Sequence, residues 1–264
     1  MVSPDLIRAP LFVPADRPER FAKAAGSGTD AVILDLEDAV APEAKDKART
    51  LLDCRYTDLP VILRVNAIGT PWHSADIAAA CALPFAALML PKAEDPGTVA
   101  ALATELPTQM VVIALIETAR GLAAARQIAA LDRVARLAFG SVDYCADLGC
   151  AHQRDALLSA RSELVLAARL AGMPPPLDGV TTALQSPGAA EEDARHARSL
   201  GMGGKLCIHP RQVPEVLTGF RPTEAEKDWA RRVLAAGDGA VAVDGAMVDA
   251  PVRLRARSIL AAAV

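Results

Sequence analysis

The sequence excludes several classes of protein by what it lacks. No stretch approaches the roughly 20 uninterrupted apolar residues of a membrane span, although 52% of its 264 residues are hydrophobic. Positive charge is not in excess, since 28 Lys and Arg stand against 32 Asp and Glu, so charge gives no case for nucleic-acid binding. The first ten residues include Asp5 and Arg8 and show no apolar signal segment, so we expect a cytoplasmic protein.

Zinc-binding and dinucleotide-binding motifs are absent as well. The five cysteines form no CxxC pair, and we expect buried, reduced thiols, with a nucleophilic cysteine beside a histidine as the alternative. The first apolar run ends in Pro14-Ala15-Asp16-Arg17-Pro18 rather than a glycine-rich phosphate turn. This disfavours a doubly wound sheet, which is the second choice of fold.

Eight short apolar runs alternate with longer segments of helical character. Most runs are continuously apolar, which is typical of parallel strands buried on both faces. Eight strand–helix repeats in this length predict a (β/α)8 TIM barrel, an α/β fold. The runs are Leu11–Ala15, Ala31–Glu37, Val61–Asn66, Ala87–Lys92, Val111–Thr118, Arg136–Tyr144, Leu177–Thr182 and Gly203–Pro210.

The chain after Thr223 has a different pattern. A helix is predicted over Glu224–Ala236, and Asp244-Gly245 between two short apolar runs predicts a hairpin. A last helix is predicted over Pro251–Ala263. We therefore divide the chain into a barrel, residues 1–222, and a helix–hairpin–helix extension, residues 223–264, that caps the barrel mouth or a neighbouring subunit.

Ionisable residues stand at most of the predicted strand ends, where barrel enzymes carry their chemistry. Glu117 and Asp143 follow neighbouring strands and either bind Mg²⁺ together with waters or cap the helices that follow. Arg64 on an apolar strand needs an anionic partner, which is either a substrate or a nearby acid. Asp35 and Glu37 lie on one side of a strand, so one of them can pair with Arg64.

Further charged residues carry two interpretations each. Lys92 either contacts a phosphate or carboxylate or neutralises Glu37. Arg17 and Arg20 either bind phosphate or solvate the surface. Asp249 precedes Ala250-Pro251 and is a natural helix N-cap, so a functional role for it depends on the resemblance described next.

The strand ends, in this order, resemble the citrate lyase beta-subunit-like and malyl-CoA lyase family of acyl-CoA carbon–carbon lyases. The resemblance extends from end to end of the chain. Its segments are Leu11–Pro14, Asp35–Val40, Arg64–Asn66, Leu90–Lys92, Ile116–Thr118, Phe139–Tyr144, Gly204–Pro210 and Met247–Pro251.

The resemblance implies a TIM barrel with Mg²⁺ at Glu117 and Asp143 and with Arg64 beside the reacting carbons. We expect Asp35, Glu37 and Lys92 to support this site, with one acid paired with Arg64 or Lys92 and one within reach of metal-bound water. It also implies a homo-oligomer, often a trimer, in which Asp249 completes a neighbour's site. The expected contacts to CoA phosphate and adenine are Phe12, Pro14, Arg17, Arg20 and Lys205.

The implied reaction is cleavage, or formation, of a malyl-, citramalyl- or citryl-type CoA thioester into an α-keto acid and an acyl-CoA. Thioester hydrolysis on the same scaffold is an alternative, with Asp249 activating water. A beta-type subunit that depends on an acyl carrier partner is another. Pyruvate-type aldolases are less favoured, because Arg17 and Pro18 stand where such an enzyme would place a histidine base.

Overall fold

The structure, a computed structural model, describes residues 7–237 and 241–262. Eight parallel strands follow one another around the sheet in chain order, and a bridge between Leu11 and Cys207 closes it. The predicted (β/α)8 barrel is confirmed. Strands β1 to β8 are Leu11–Pro14, Val32–Asp35, Val61–Arg64, Ala87–Leu90, Val111–Ile116, Val134–Phe139, Leu177–Asp178 and Gly204–Lys205.

Helices cover the outer face of the sheet and form the C-terminal segment. One of them spans Leu158–Leu170, and Gly172 follows it with φ of +68°, as a helix-ending glycine does. Helices α1 to α11 are Phe21–Ala25, Lys45–Thr50, His73–Ala82, Pro96–Glu105, Ala119–Ala129, Ser141–Leu148, Leu158–Leu170, Ala189–Ser199, Gln212–Phe220, Glu224–Ala235 and Ala250–Ala261.

The period of two along each strand decides which side chains reach the inside of the barrel. Ile33 on β2 and Ile62 on β3 belong to the buried cluster in the barrel interior. Asp35 and Arg64 follow two residues later, so they project to the same side, and they are paired in register. The inward rows of β2 and β3 thus change from aliphatic to ionisable at the carboxyl end of the barrel.

The segment after Thr223 packs around a small core of its own, with Ala230, Val233 and Ala256 buried in it. The predicted hairpin is present as β9 (Val241–Val243) and β10 (Ala246–Val248), and its turn has positive φ at Asp244 and Gly245. A two-residue turn of this kind fits the twist of the strands. The division of the chain at residues 222/223 stays a prediction.

Some predictions fall outside the described residues or need correction. Residues 1–6, on which the absence of a signal was argued, and Gly239 and Ala240 of the hairpin prediction lie outside the described ranges. All five thiols are free, but only Cys145 and Cys207 are buried, and Cys81 is exposed. Within the described ranges, no helix combines the length and apolar character needed to cross a membrane.

Candidate active site

A cavity of about 380 Å³ opens at the carboxyl ends of the strands, where the sequence predicts the chemistry. Four acids and one arginine are among its lining residues. The lining is Phe12, Pro14, Asp35, Asp38, Ala39, Arg64, Leu115, Glu117, Phe139, Gly140, Ser141, Val142, Asp143, Val180, Leu206 and Ile208.

Arg64 is held by a fork of hydrogen bonds to Asp35. Its Nε and Nη2 each donate at 2.7 Å to one carboxylate oxygen, and its guanidinium lies 4.7 Å from the centre of the Phe12 ring. Burial alone would lower the pKa of Arg64, but the charges of Asp35, Glu37 and Asp38 and the hydrogen bonds to Asp35 together outweigh burial and raise it. Asp35 also accepts the backbone N–H groups of Glu37 and Ala39, so its position is fixed from both sides.

Glu37 stands between the two cations of the site. Its Oε2 lies 3.0 Å from Arg64 Nη1, and its Oε1 lies 3.7 Å from Lys92 Nζ. Burial nevertheless raises the pKa of Glu37 to about 7, against the attraction of Arg64. Arg64 Nη1 also lies 3.5 Å from the exposed carboxylate of Asp38, the most loosely held of its acidic partners.

Glu117 is placed by the backbone around it. Its Oε1 accepts the N–H of Lys92 at 2.8 Å, and Lys92 has φ of +48°, a conformation that costs free energy in a residue with a side chain. A Cβ atom added at Gly140 would overlap the Glu117 carboxyl, so glycine is required there. Burial, together with the charges of Glu37 and Asp143, raises the pKa of Glu117 to about 8.

Asp143 lies on the helix that follows β6, not on the end of the strand as the sequence suggests. It sits in the first turn of α6 rather than at the end of β6, yet it lines the same cavity as Glu117 and influences its pKa. Because β5 and β6 pair side by side, the two residues are brought to the same cavity, and their role as metal ligands stays a prediction. Capping does not occupy them, since Thr118 caps α5 and no side chain caps α6.

The charge of the site fits a divalent cation. Five carboxyl groups face two cations, and unpaired carboxylates in a half-buried cavity are costly. Glu117 and Asp143 line the cavity together, and Mg²⁺ is commonly bound by one or two carboxylates with waters in its other positions. Among the described residues, no set of three or more His, Cys, Asp and Glu is grouped to hold a metal ion. The acids are Asp35, Glu37, Asp38, Glu117 and Asp143, and the cations are Arg64 and Lys92.

A serine–histidine pair at the rim was not predicted from the sequence. Ser141 Oγ and His152 Nε2 lie 2.8 Å apart, and Ser141 lines the cavity between Gly140 and Val142. Burial, together with the charges of Lys205 and Arg161, lowers the pKa of His152. The contact joins the start of α6 to the loop after it, and no sequence spacing indicated it.

Lys205 does not occupy the position expected of a phosphate contact. Leu206 lines the cavity, so the preceding side chain projects from the opposite face of the chain. The Lys205 ammonium donates to Asp178 at 2.9 Å and to the carbonyl of Gly179, and the side chain is 1% exposed. Arg161 from α7 completes this buried group with a hydrogen bond of 2.7 Å to Asp178.

The other residues expected to contact CoA lie at or beyond the rim of the cavity. Phe12 and Pro14 line the cavity on the β1 side. Arg17 and Arg20 follow them and are more than half exposed, each 3.9 Å from a neighbouring acid. Their charges are therefore open to an external anion at the mouth.

Asp249 is the N-cap of α11, as its sequence context predicts. Its side chain accepts the N–H of Val252 at 3.1 Å. No described residue of the C-terminal segment lines the mouth cavity, and the segment is tied instead to α8 by the Arg198–Glu226 ion pair at 3.0 Å. Within one chain the segment therefore does not cap the cavity, and a role for Asp249 in a site requires a neighbouring subunit.

Comparison with known proteins gives a family match over the barrel and relatives that cover nearly the whole chain. The model of the HpcH/HpaI aldolase/citrate lyase family matches residues 8–210. A citrate lyase subunit beta-like protein of Mycobacterium tuberculosis is 42% identical over 261 residues, covering 95% of this chain and 93% of that protein. A (3S)-malyl-CoA thioesterase of Cereibacter sphaeroides is 34% identical, with 97% and 94% covered.

A solved structure agrees with this match. The CitE protein of Mycobacterium tuberculosis, in complex with magnesium, acetoacetate and coenzyme A, superposes with a TM-score of 0.88 at 40% identity. The superposition covers 98% of this chain and 99% of that one. The likeness therefore includes both the barrel and the C-terminal segment.

Proposed function

Because the chain belongs to the HpcH/HpaI aldolase/citrate lyase family, we propose that it is a Mg²⁺-dependent carbon–carbon lyase acting on CoA thioesters. The substrate class is a 3-hydroxyacyl-CoA of malyl, citramalyl or citryl type. Cleavage gives an α-keto acid and an acyl-CoA, and the same site can run the reverse condensation. We place the reaction in the cytoplasm.

The observation that carries the proposal is the convergence of Glu117 and Asp143 in the cavity that also contains Arg64. These two carboxylates would hold Mg²⁺, which the magnesium complex of the Mycobacterium tuberculosis relative supports. When bound, Mg²⁺ supplies a Lewis acid that lowers the pKa of the substrate hydroxyl group. The backbone N–H of Lys92 and the space at Gly140 orient Glu117 for this task.

Arg64 stabilises the negative charge that develops on the thioester oxygen as the carbon–carbon bond breaks. Its bidentate bond to Asp35 fixes the plane of the guanidinium, so Nη1 is held ready at the cavity. The exposed Asp38, 3.5 Å from Nη1, is the partner that an anionic substrate oxygen replaces. Glu37 and Lys92 then keep Nη1 and Glu117 in place as supporting residues.

The remaining roles lie outside the cavity of one chain. Phe12 and Pro14 form the rim that the thioester crosses, and Arg17 and Arg20 attract its phosphates. We assign the proton transfer to Asp249 of a neighbouring copy in a homo-oligomer, for which we favour a trimer. The partial exposure of this carboxylate permits such a contact.

The test is turnover of malyl-, citramalyl- and citryl-CoA by purified protein with Mg²⁺, following keto acid and CoA species together. We expect keto acid and acyl-CoA in equal amounts, and no product in EDTA. The metal assignment would be contradicted if EDTA left product formation unchanged. It would also be contradicted if the Glu117→Ala and Asp143→Ala variants formed product at the parental rate.

A thioesterase is the second candidate, and the 34% identity to a (3S)-malyl-CoA thioesterase favours it. In that reaction Asp249 of a neighbouring subunit would activate water against the thioester carbonyl. The same assay separates the two, because hydrolysis releases free CoA and leaves the hydroxy acid intact. If neither reaction occurs until an acyl carrier protein is added, the chain is a beta-type subunit.

A further inference from the structure

The mouth cavity has two unlike sides. The ends of β2, β3 and β5 and the first turn of α6 bring charged side chains to it. The side formed after β7 and β8 is apolar and consists of Val180, Leu206 and Ile208, with Val142 from α6 beside them. We call these four residues the apolar wall. Val142 and Ile208 are 44% and 40% exposed, so both side chains can be reached from the mouth.

No cation is available on the apolar wall. Arg64 is the only Lys or Arg among the described residues that line the cavity, and it belongs to the charged side. Lys205 and Arg161 do not line the cavity, and both are buried and paired with Asp178. Arg211 lines a separate hollow of about 270 Å³, together with Glu215.

The polar groups around the wall are also occupied. The Ser141 hydroxyl is engaged with His152, and Gln212, which is close in sequence to Ile208, bonds the N–H of Ile208 and the carbonyl of Thr181. A substrate carboxylate placed against the wall would therefore give up part of its hydration without gaining a cationic partner, which is unfavourable. An alkyl group in the same place would gain by leaving water.

Resting on the proposed lyase function, we propose that the acyl substrate carries one free carboxylate and an alkyl substituent that packs against Val142, Val180 and Ile208. The carboxylate lies on the charged side with Arg64 and the metal ligands. Citramalyl-type and methyl-bearing malyl thioesters fit this division. Citryl thioesters, which carry a second free carboxylate, do not.

The first experiment compares kcat/KM of the whole protein for malyl-CoA, citramalyl-CoA, 2-methylmalyl-CoA and citryl-CoA under one set of conditions with Mg²⁺. We expect a methyl-bearing thioester to exceed malyl-CoA by about tenfold, the usual value of one extra methyl in an apolar pocket. We expect kcat/KM for citryl-CoA to be lower than that for the methyl-bearing thioester by roughly 100-fold or more. Citryl-CoA cleaved within threefold of the best substrate would overturn the inference.

The second experiment adds a cation to the wall. Ile208→Lys and Val142→Lys place an ammonium group there. We expect each variant to raise the ratio of kcat/KM for citryl-CoA to kcat/KM for citramalyl-CoA by about tenfold. Leu148→Lys is the matched control, because Leu148 lies on α6 with the same 44% exposure as Val142 and does not line the cavity. An equal change in Leu148→Lys would show that the effect is not local, and it would refute the role of the wall.

Failure of the inference can be told from failure of the proposed function. If none of the four thioesters is cleaved, the lyase proposal fails, and titration calorimetry with the same compounds tests the wall alone. Citryl-CoA should then bind at least tenfold more weakly than citramalyl-CoA. Equal affinities would overturn the inference whatever the reaction is.

Discussion

Gly140 leaves open the space that the carboxyl of Glu117 occupies, across the junction of β5 and β6. A Cβ atom at residue 140 would overlap both Oε2 and Cβ of Glu117. The glycine follows β6 and the glutamate follows β5, and the strands pair side by side up to Ile116 and Phe139. The position of a proposed metal ligand thus depends on a missing side chain in the neighbouring strand.

Gly140→Ala should therefore displace Glu117 and weaken Mg²⁺ binding by at least about tenfold, because a shift of the order of an ångström spoils a coordination site. Magnesium affinity by calorimetry and lyase activity are the measurements. Gly26→Ala is the control, since its added Cβ would make only ordinary contacts, the nearest at 3.5 Å, and its φ of −76° suits alanine. Unchanged affinity in Gly140→Ala would show that Glu117 is not a ligand.

Glu117 should also make the metal-free protein less stable as pH rises. Its pKa is raised from 4.5 to about 8, so the folded state binds more protons than the unfolded state between these values. The free energy of unfolding in EDTA should fall by roughly 3 kcal/mol from this group between pH 5 and pH 8.

Urea denaturation of the Glu117→Gln variant measures this contribution, because glutamine keeps an acceptor for the Lys92 N–H but cannot ionise. The variant should lose most of this pH dependence and should exceed the parent in stability at pH 8. The exposed Glu105→Gln serves as the control. A parent and a Glu117→Gln variant with parallel pH profiles would argue against the raised pKa.

The buried Lys205–Asp178 pair should contribute to stability rather than to phosphate binding. Lys205→Met leaves Asp178 with Arg161 alone, and breaking a buried ion pair costs about 3–5 kcal/mol. Arg126→Met, which removes the exposed partner of Glu163, should cost less than about 1 kcal/mol. Denaturation midpoints of the two variants and the parent measure these losses of stability. If Lys205→Met folds, its KM for a CoA thioester should stay within about twofold of the parental KM. A KM that rises tenfold would restore Lys205 as a ligand contact.

Asp249 can be tested for its two roles separately. Asparagine caps a helix about as well as aspartate, whereas alanine loses about 1 kcal/mol. If Asp249 transfers a proton in a neighbour's site, Asp249→Asn should keep the unfolding midpoint and lose at least about 100-fold in kcat. Light scattering should show the same oligomer as the parent. Full activity in Asp249→Asn would leave capping as its only role.

Much of the site could be predicted because it follows a period of two along the strands. Asp35 and Glu37 were expected on one side of β2 with Arg64 or Lys92 as partners, and the structure contains both ion pairs. Glu117 and Asp143 were expected in one cavity, and they line it together. These contacts depend on neighbouring strand ends, which chain order alone specifies in a barrel.

The features that the sequence did not predict depend on distances across loops and layers. His152 reaches Ser141 from a loop 11 residues later, and nothing in its spacing marks that contact. The family resemblance predicts Lys205 at the mouth, but its partner Asp178 is 27 residues away on a two-residue strand. On such short strands, tertiary packing determines whether a side chain is buried and which face of the sheet it projects from.

The apolar wall stands on the part of the barrel with the sparsest strand pairing. Only Ala138 and Leu177 are in register between β6 and β7, whereas β2 and β3 are paired at four positions. Substitutions and loop changes on the wall therefore disturb few backbone hydrogen bonds, while the charged side rests on strands that are paired at three to five positions. Descendants of such a barrel can change the acyl group they accept, by drift on one side, without rebuilding the bond-breaking machinery on the other.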